Sequence, residues 1–449
     1  MTVETFLNGR VTLHCGDSRE VLKGIPDCSI DSVVCDPPYA LVSIVKRFGA
    51  GGAPVRVPEG GSGAYARASA GFMGKTWDTG ETAFAATFWA ECLRVLKPGG
   101  HVVAFSGTRT VHRMVCAIED AGFEIRDSLQ WLYGSGFPKS HDVSKELDKK
   151  AGHWRGRAGE VKIAEQVAKG AEYIRGEKGD PITQEAIQWQ GWGTALKPAV
   201  EPICLARKPL VGTVARNVLE HGTGAINING CRVGTDENLD GGGYGGGNRH
   251  DGTENWRMRN GGAGEFVQPI GRWPANVIHD GSAEVLAAFP ETTVTGVRSD
   301  ASKERWSNAE STLPGQGGTN HKGIEYPGDS TSAARFFYTA KADANDRLGS
   351  KHPTVKPVDL MQWLCRLVTP RGGTVLDPFA GTGTTGEAAF REGFNAVLIE
   401  RETEYQADIR RRMALVMSGP EERKRESIKA KLGSVPFEAG SLFSGLEAS

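Results

Sequence analysis

The stretch Asp36-Pro37-Pro38-Tyr39 carries the residue types most able to do chemistry in this chain. It follows the apolar run Ile30 to Cys35, which reads as a buried strand. Each proline fixes φ and lacks an N–H, so a stiff turn is expected at the strand end. Such a turn can hold a carboxylate, bare carbonyls and an aromatic face around one planar target. An exocyclic amine on a nucleobase suits it. Asp36 would accept one amine hydrogen, the Pro37 carbonyl the other, and Tyr39 would stack on the ring. A four-residue match is also compatible with an ordinary turn.

A second constellation lies far downstream. Thr374-Val375-Leu376 runs into Asp377-Pro378-Phe379-Ala380-Gly381-Thr382-Gly383-Thr384-Thr385, a strand, a glycine turn and a helix opening at Thr384 and Thr385. Glycines let a ligand approach the backbone, and a helix start offers free N–H groups. A plain strand-to-helix turn would share this pattern. The next strand, Asn395 to Ile399, ends at Glu400, where a ribose would present its hydroxyls. Lys97-Pro98-Gly99-Gly100 before His101 to Phe105 reads as another α/β edge.

The elements that must position these residues follow from periodicity. Val11 to Cys15 reads as a strand, with Gly16-Asp17 and a short helix ending near Gly24. Phe84 to Leu96 reads as an amphipathic helix. A helix from Thr108 and a strand over Phe123 to Tyr133 continue the alternation. Val143 to Ala168 is helical in flavour, Ala334 to Ala340 is strand-like, and Pro357 to Val368 and Tyr405 to Met417 read as helices. Ala40 to Gly80, which includes Phe72, Trp77 and Asp78, reads as a mobile loop. So does the glycine-rich Leu239 to Gly264. Strands alternate with helices at both ends of the chain. An α/β fold is therefore expected, Rossmann-like, with a doubly wound, mostly parallel sheet assembled from both ends.

Composition narrows the class. The 449 residues, 39% hydrophobic, support a large domain with an inserted one. No apolar run approaches a membrane span, and Met1 to Arg10 lacks a signal-peptide pattern, so a cytoplasmic protein is expected. The eight cysteines include no Cys-x-x-Cys pair, which argues for reduced thiols and against a metal site. A net charge of −1 means that any nucleic-acid surface must be a local patch.

Together the two motifs resemble the amino-methyltransferases of DNA, which use S-adenosylmethionine and modify adenine N6 or cytosine N4. The acceptor motif lies upstream of the cofactor loop, as in the circularly permuted β group of that family. The resemblance spans about residues 11–138 and 334–415. The segments Trp131 to Ser140, Lys197 to Leu210 and Gly271 to Asp280 also resemble phage and prophage adenine methyltransferases. It implies a class I methyltransferase fold in four parts. Residues 1–138 would carry the target-amine motif, 139–333 an inserted recognition region, 334–418 the cofactor half and 419–449 a polar tail.

The resemblance also implies roles. Asp36, Pro37, Pro38 and Tyr39 would hold a base flipped out of double-stranded DNA. Phe379 would line the adenosyl pocket, with Gly381 and Gly383 as its floor and Thr384 at the helix start. Asp377 would lie near the methionine amine, Glu400 on the ribose, and Asp17 at the adenine amine or as a helix N-cap. His352, Thr354 and Lys356 would contact the methionine end. DNA contacts are expected in the middle region, from Lys139, Arg207, Lys208, Arg249, His250, Arg257, Arg259 and Arg272, with Trp256 and Trp273 among them. Asp as the first motif residue resembles adenine-N6 enzymes. Cytosine-N4 methylation and an inactive DNA-binding regulator stand as alternatives, and a homodimer is expected. Transfer would need no covalent intermediate, since positioning and electrostatics suffice. Cys35 reads as a core residue rather than a nucleophile.

Overall fold

The computed structural model describes residues 2–39, 81–136, 140–153, 155, 180–235, 270–293, 330–340, 344–352 and 354–432. Among these, the strands in chain order are β1 Thr2–Phe6, β2 Val11–Cys15, β3 Ile30–Cys35, β4 Leu96–Phe105, β5 Glu124–Leu132, β6 Val200–Arg207, β7 Val277–His279, β8 Glu291–Thr293, β9 Ser330–Ser332, β10 Tyr338–Thr339, β11 Thr374–Asp377 and β12 Asn395–Glu400. Ten of them build one sheet in the order β1-β2-β12-β11-β3-β4-β6-β5-β7-β10, and β8 pairs with β9. From β2 to β4 every neighbouring pair is parallel. β1 runs antiparallel to β2, and β6 antiparallel to β4. The expected doubly wound, mostly parallel α/β sheet is the observed one.

The chain leaves β3 toward β4 on one side and β11 toward β12 on the other. The seam between β3 and β11 is therefore the switch point, and in open α/β sheets ligands bind beyond the carboxyl ends of the strands at such a point. All six residues of β3 are buried, as a strand covered on both faces requires. Its polar residues are satisfied within the seam. The Asp31 carboxylate accepts from the Thr374 N–H at 2.8 Å and from Lys97 Nζ at 2.6 Å. Ser32 Oγ lies 2.8 Å from Thr369 Oγ1. These bonds help fix a register in which Ser32 opposes Val375 and Val33 opposes Leu376. Asp36 and Asp377 thus reach the same rim.

Helices pack over the sheet. Ala86–Val95 buries Phe88, Trp89, Cys92 and Val95, and the Trp89 indole donates to the Ala83 carbonyl at 2.9 Å. Val358–Val368 buries Leu360, Met361, Leu364 and Cys365. Pro357 is the N-cap of this helix rather than its first residue. Three expectations are corrected. The Lys97–Gly100 stretch belongs to β4, which starts at Leu96 and takes up an irregular register against β3. Ala334 to Ala340 is not one strand, but a 3-10 turn over Ala333–Phe336 followed by the two-residue β10. The polar tail begins with a helix, Pro420–Leu432. Arg423 of this helix is buried because it completes the pairing of Glu387, an acid with no exposure, at 2.8 Å.

The chain divides into two compact units, Met1–Leu132 with Glu201–Ser449, and Tyr133–Val200. The boundaries of these units differ from those of the expected region 139–333, part of which folds with the main sheet. The apolar run of β6 forms a buried strand of the main sheet, and β7 and β10 follow it there. The smaller unit contains the helices Val143–Lys150 and Gln184–Gln188. Asp148 ties them, accepting from the Ile182 N–H at 3.0 Å and from the Thr183 N–H and hydroxyl, each at 2.8 Å. The remainder of Val143 to Ala168 lies largely outside the described residues, as do Ala40 to Gly80 and Leu239 to Gly264.

Candidate active site

Asp36 leaves the end of β3 with its side chain largely covered, and a ring of polar groups forms around it. Lys356 Nζ stands 2.8 Å from Asp36 Oδ2, 3.0 Å from Glu201 Oε2 and 3.0 Å from the Tyr39 hydroxyl. Tyr39 in turn donates to Glu201 Oε2 at 2.9 Å. Its backbone carbonyl accepts from the Thr110 hydroxyl at 2.8 Å. Its ring rests on Gly107, where an added Cβ would lie 3.3 Å from Cδ2. The aromatic platform is therefore held at both ends. Asp36 Oδ1 is buried and has no hydrogen-bond partner among the described residues. A bare buried carboxylate oxygen calls for a donor.

Lys356 is only 6% exposed, a costly position for an ammonium unless it is paired. Burial alone would lower its pKa, but Asp36 and Glu201 beside it hold the pKa above the ordinary lysine range. The Phe105 and Tyr39 rings lie 4.8 Å and 5.3 Å from the ammonium. Tyr39 stays a neutral phenol, because burial and then the adjacent acids push its pKa well up. Burial pushes the Cys35 thiol well up too, as fits a packing residue.

One strand away lies the glycine turn. Asp377 is buried, with Oδ1 accepting from the Phe379 N–H at 3.0 Å and Oδ2 from the Thr385 hydroxyl. Burial pushes its pKa up to about 7 against those bonds. Gly381 and Gly383 both take positive φ, +51° and +78°, which favours glycine. A Cβ on Gly383 would press on Ile409 at 3.0 Å. Gly383 is the N-cap of the helix Thr384–Arg391, and Thr384 is buried at its start. Glu400 accepts from the Gly381 N–H at 2.8 Å and the Glu402 N–H at 2.7 Å. Burial pushes its pKa up to about 7 as well. Phe379 packs against Phe88 with ring centroids 5.1 Å apart.

His352 lies edge-on to Tyr405 at 4.4 Å and beside Gly381, where its Nε2 would be 3.3 Å from an added Cβ. Burial holds its pKa down at about 4, so the ring is neutral. His352 Nδ1 donates to the Thr354 carbonyl at 2.5 Å. Asp17 is a helix N-cap that accepts from the Arg19 N–H at 2.9 Å and pairs with Arg19. Its carboxyl sits below the usual range, chiefly through the Arg19 side chain.

Several placements differ from expectation. Lys356, expected at the methionine end of a cofactor, has its ammonium on Asp36 and Glu201. Glu201, within the segment Lys197 to Leu210, has no role that the sequence alone predicts. An acid opening the apolar run of β6 was the available signal, and only the antiparallel direction of β6 carries it to the rim. Arg207 and Lys208 do not join this rim. Arg207 is paired across the sheet with His101, which opposes Ser32 of β3, and its guanidinium binds Glu124 at 2.6 Å. Lys208 Nζ donates to the Leu96 carbonyl at 2.7 Å. Both stand at the opposite end of the sheet, held by its own groups. Arg272 lies over Phe336 at 4.7 Å, and exposed Trp273 faces Arg232 at 5.3 Å. Lys139, Arg249, His250, Trp256, Arg257 and Arg259 lie outside the described residues, as do Phe72, Trp77 and Asp78.

This geometry can be set beside known proteins. The N6/N4 model described as DNA methylase matches residues 30–208 and 293–411, well over half of the chain. The Type II methyltransferase M.HindIII of Haemophilus influenzae is 32% identical over 142 residues, 31% of this chain and 36% of that protein. The Type II methyltransferase M.HinfI of the same species is 35% identical over 100 residues, 22% of this chain and 28% of that protein. The chain thus spans well under half the length of these curated relatives. Among solved structures, the cytosine-N4-specific PvuII DNA methyltransferase is similar over 96% of this chain and 94% of that one, at 15% identity and a TM-score of 0.40.

Proposed function

Because the chain belongs to the N6/N4 DNA methylase family, we propose that it transfers a methyl group from S-adenosylmethionine to the N6 amine of an adenine flipped out of double-stranded DNA. The observation that carries this reading is the β3–β11 seam. It sets a proline-stiffened turn with a bare carboxylate oxygen beside a glycine loop that opens a helix.

The residues of the second corner fit the cofactor. Each Glu400 oxygen accepts one N–H, and a carboxylate oxygen has room for another donor, such as a ribose hydroxyl. Gly381 and Gly383 leave two positions of the loop without side chains, and Asp377 offers a carboxylate toward an ammonium group. Bound there, S-adenosylmethionine supplies an electrophilic methyl carbon on a cationic sulfur.

The chain's own residues hold the acceptor. Adenine N6 is a poor nucleophile because its lone pair is conjugated with the ring. Hydrogen bonds from its two N–H groups to Asp36 Oδ1 and the Pro37 carbonyl favour a more tetrahedral nitrogen. Tyr39 gives the extruded base a face to stack on. Asp36 then takes the proton that the methylated nitrogen sheds. Alignment and local charge supply the acceleration. The Asp at the head of the motif favours adenine over cytosine.

Purified protein with methyl-tritiated S-adenosylmethionine and unmethylated DNA should yield N6-methyladenine after nucleoside digestion. Label in N4-methylcytosine alone would overturn the choice of base. Absence of label from DNA would overturn the reading itself.

A further inference from the structure

We infer that Lys356 and Glu201 are positioning residues for Asp36: Lys356 keeps two facing carboxylates charged together, and Glu201 leaves their cluster with one surplus negative charge for the amine. The inference rests on the proposed methyl transfer. Its basis is the three-way contact at one nitrogen. Two carboxylates from different strands, Asp36 of the β3 turn and Glu201 of β6, both lie within 3.0 Å of Lys356 Nζ. An ordinary buried ion pair needs one acid. Here there are two, and the Tyr39 hydroxyl joins Lys356 to Glu201. Because Lys356 occupies Oδ2, Oδ1 is the oxygen left to meet a donor.

The charge count gives the cluster its use. Two carboxylates against one ammonium leave a net charge of −1, since Tyr39 and Cys35 are neutral. As the new N–C bond forms, the C–S bond breaks and its electron pair stays on sulfur. The amine nitrogen becomes cationic, and one of its protons passes to Asp36 and then to water. The surplus charge of the cluster is matched to that nitrogen, in a covered site where charge acts strongly. Without Lys356, two carboxylates would face one gap, an arrangement that disfavours both being charged. Among the described residues, the groups facing Asp36 are Cys35 at the end of its strand, Tyr39 on its own turn, Glu201 on β6, Asp377 on β11 and Lys356 before the helix Val358–Val368. Asp377 titrates in every variant, so each is compared with the wild type at saturating cofactor.

The test uses the full chain with Lys356→Gln, Lys356→Arg, Glu201→Gln and the double variant Lys356→Gln/Glu201→Gln. Single-turnover methyl transfer is followed from about pH 6 to 9, and the Kd of S-adenosylmethionine is measured separately. Lys356→Gln should be slower by about tenfold or more near pH 7 and recover as pH rises. Lys356→Arg and the double variant should regain the wild-type pH profile, the latter because a single carboxylate remains. Cofactor affinity should stay within about twofold throughout, whereas a contact to the methionine end would lower it by about tenfold. A Lys356→Gln profile parallel to the wild type, no recovery in the double variant, or lost cofactor affinity would each overturn the inference. Should Lys356→Gln fail to fold, Glu201→Gln decides: a slower turnover with unchanged DNA affinity supports it, and an unchanged turnover overturns it. A wild type that methylates no DNA would instead count against the proposed function.

Discussion

The acceptor corner and the cofactor corner end on adjacent strands, yet they hold their carboxylates in opposite ways. Asp36 is matched by the ammonium of Lys356. Among the described residues, Asp377 and Glu400 have no Lys or Arg partner; backbone N–H groups and the Thr385 hydroxyl hold them. The difference shows in their chemistry. Burial lifts the pKa of both Asp377 and Glu400 to about 7, as expected of acids stripped of water without a counter-charge. A corner that is to receive a cationic ligand needs no cation of its own. The corner that is to receive a neutral amine instead gathers two carboxylates, Asp36 and Glu201, on one ammonium.

Removing the charge on the acceptor side gives the largest expected effect. Asp36→Ala should lower methyl transfer by at least about 100-fold. Its cofactor Kd, by equilibrium binding, should stay near that of the wild type. Equal losses in both would mean that the two corners are one undivided site.

The cofactor side should answer to pH instead. The folded pKa values of Asp377 and Glu400 are raised, so between the ordinary carboxylate range and about 7 the folded protein binds more protons than the unfolded chain. The stability of the ligand-free protein therefore falls as pH rises through that window and levels off above it. Affinity for a cationic cofactor should run the other way, rising between about pH 6 and 8 by up to about tenfold for each acid that must ionise. Isothermal titration in buffers of different ionisation enthalpy would show the proton released on binding. Glu400→Gln should flatten this dependence while weakening binding at every pH.

Backbone shape gives a smaller effect on the same side. Gly383→Ala places a Cβ at φ +78° and 3.0 Å from Ile409. A cost of about 1–2 kcal/mol is expected, read as a lower Tm and a weaker cofactor complex. The acceptor corner has no such glycine in its turn, and its rate at saturating cofactor should hold.

How far the sequence could carry these points depended on how local each one was. β2, β3, β11 and β12 fall where the short stretches rich in Val, Leu and Ile placed them, although Asp31 and Ser32 interrupt β3 and Thr12 and His14 alternate with apolar residues in β2. The Asp36 and Gly381–Gly383 turns were legible because proline and glycine act within a residue or two. The meeting of the turns at one rim followed from the switch-point rule. The Lys356–Asp36–Glu201 contact did not. It joins three distant segments, and it requires β6 to run antiparallel, which no short-range pattern announces. Arg207 failed for a related reason. In sequence it is a basic residue beside another, with nothing to mark Glu124 as its partner or the far end of the sheet as its place.

Arg207 therefore supplies the smallest prediction and a control for the comparison of the corners. Its guanidinium is nearly covered, while Glu124 is 41% exposed, so solvent screens the pair and it contributes no more than about 1 kcal/mol. Arg207→Met keeps much of the buried stem and removes the charge. A drop of a few degrees in Tm is expected, with both corners unaffected. The slope of log DNA affinity against log salt should not change, whereas a lost phosphate contact would reduce it by about 1. A reduced slope would mean that DNA reaches the end of the sheet remote from Asp36, and that the rim shared by the two corners is only part of the DNA-facing surface.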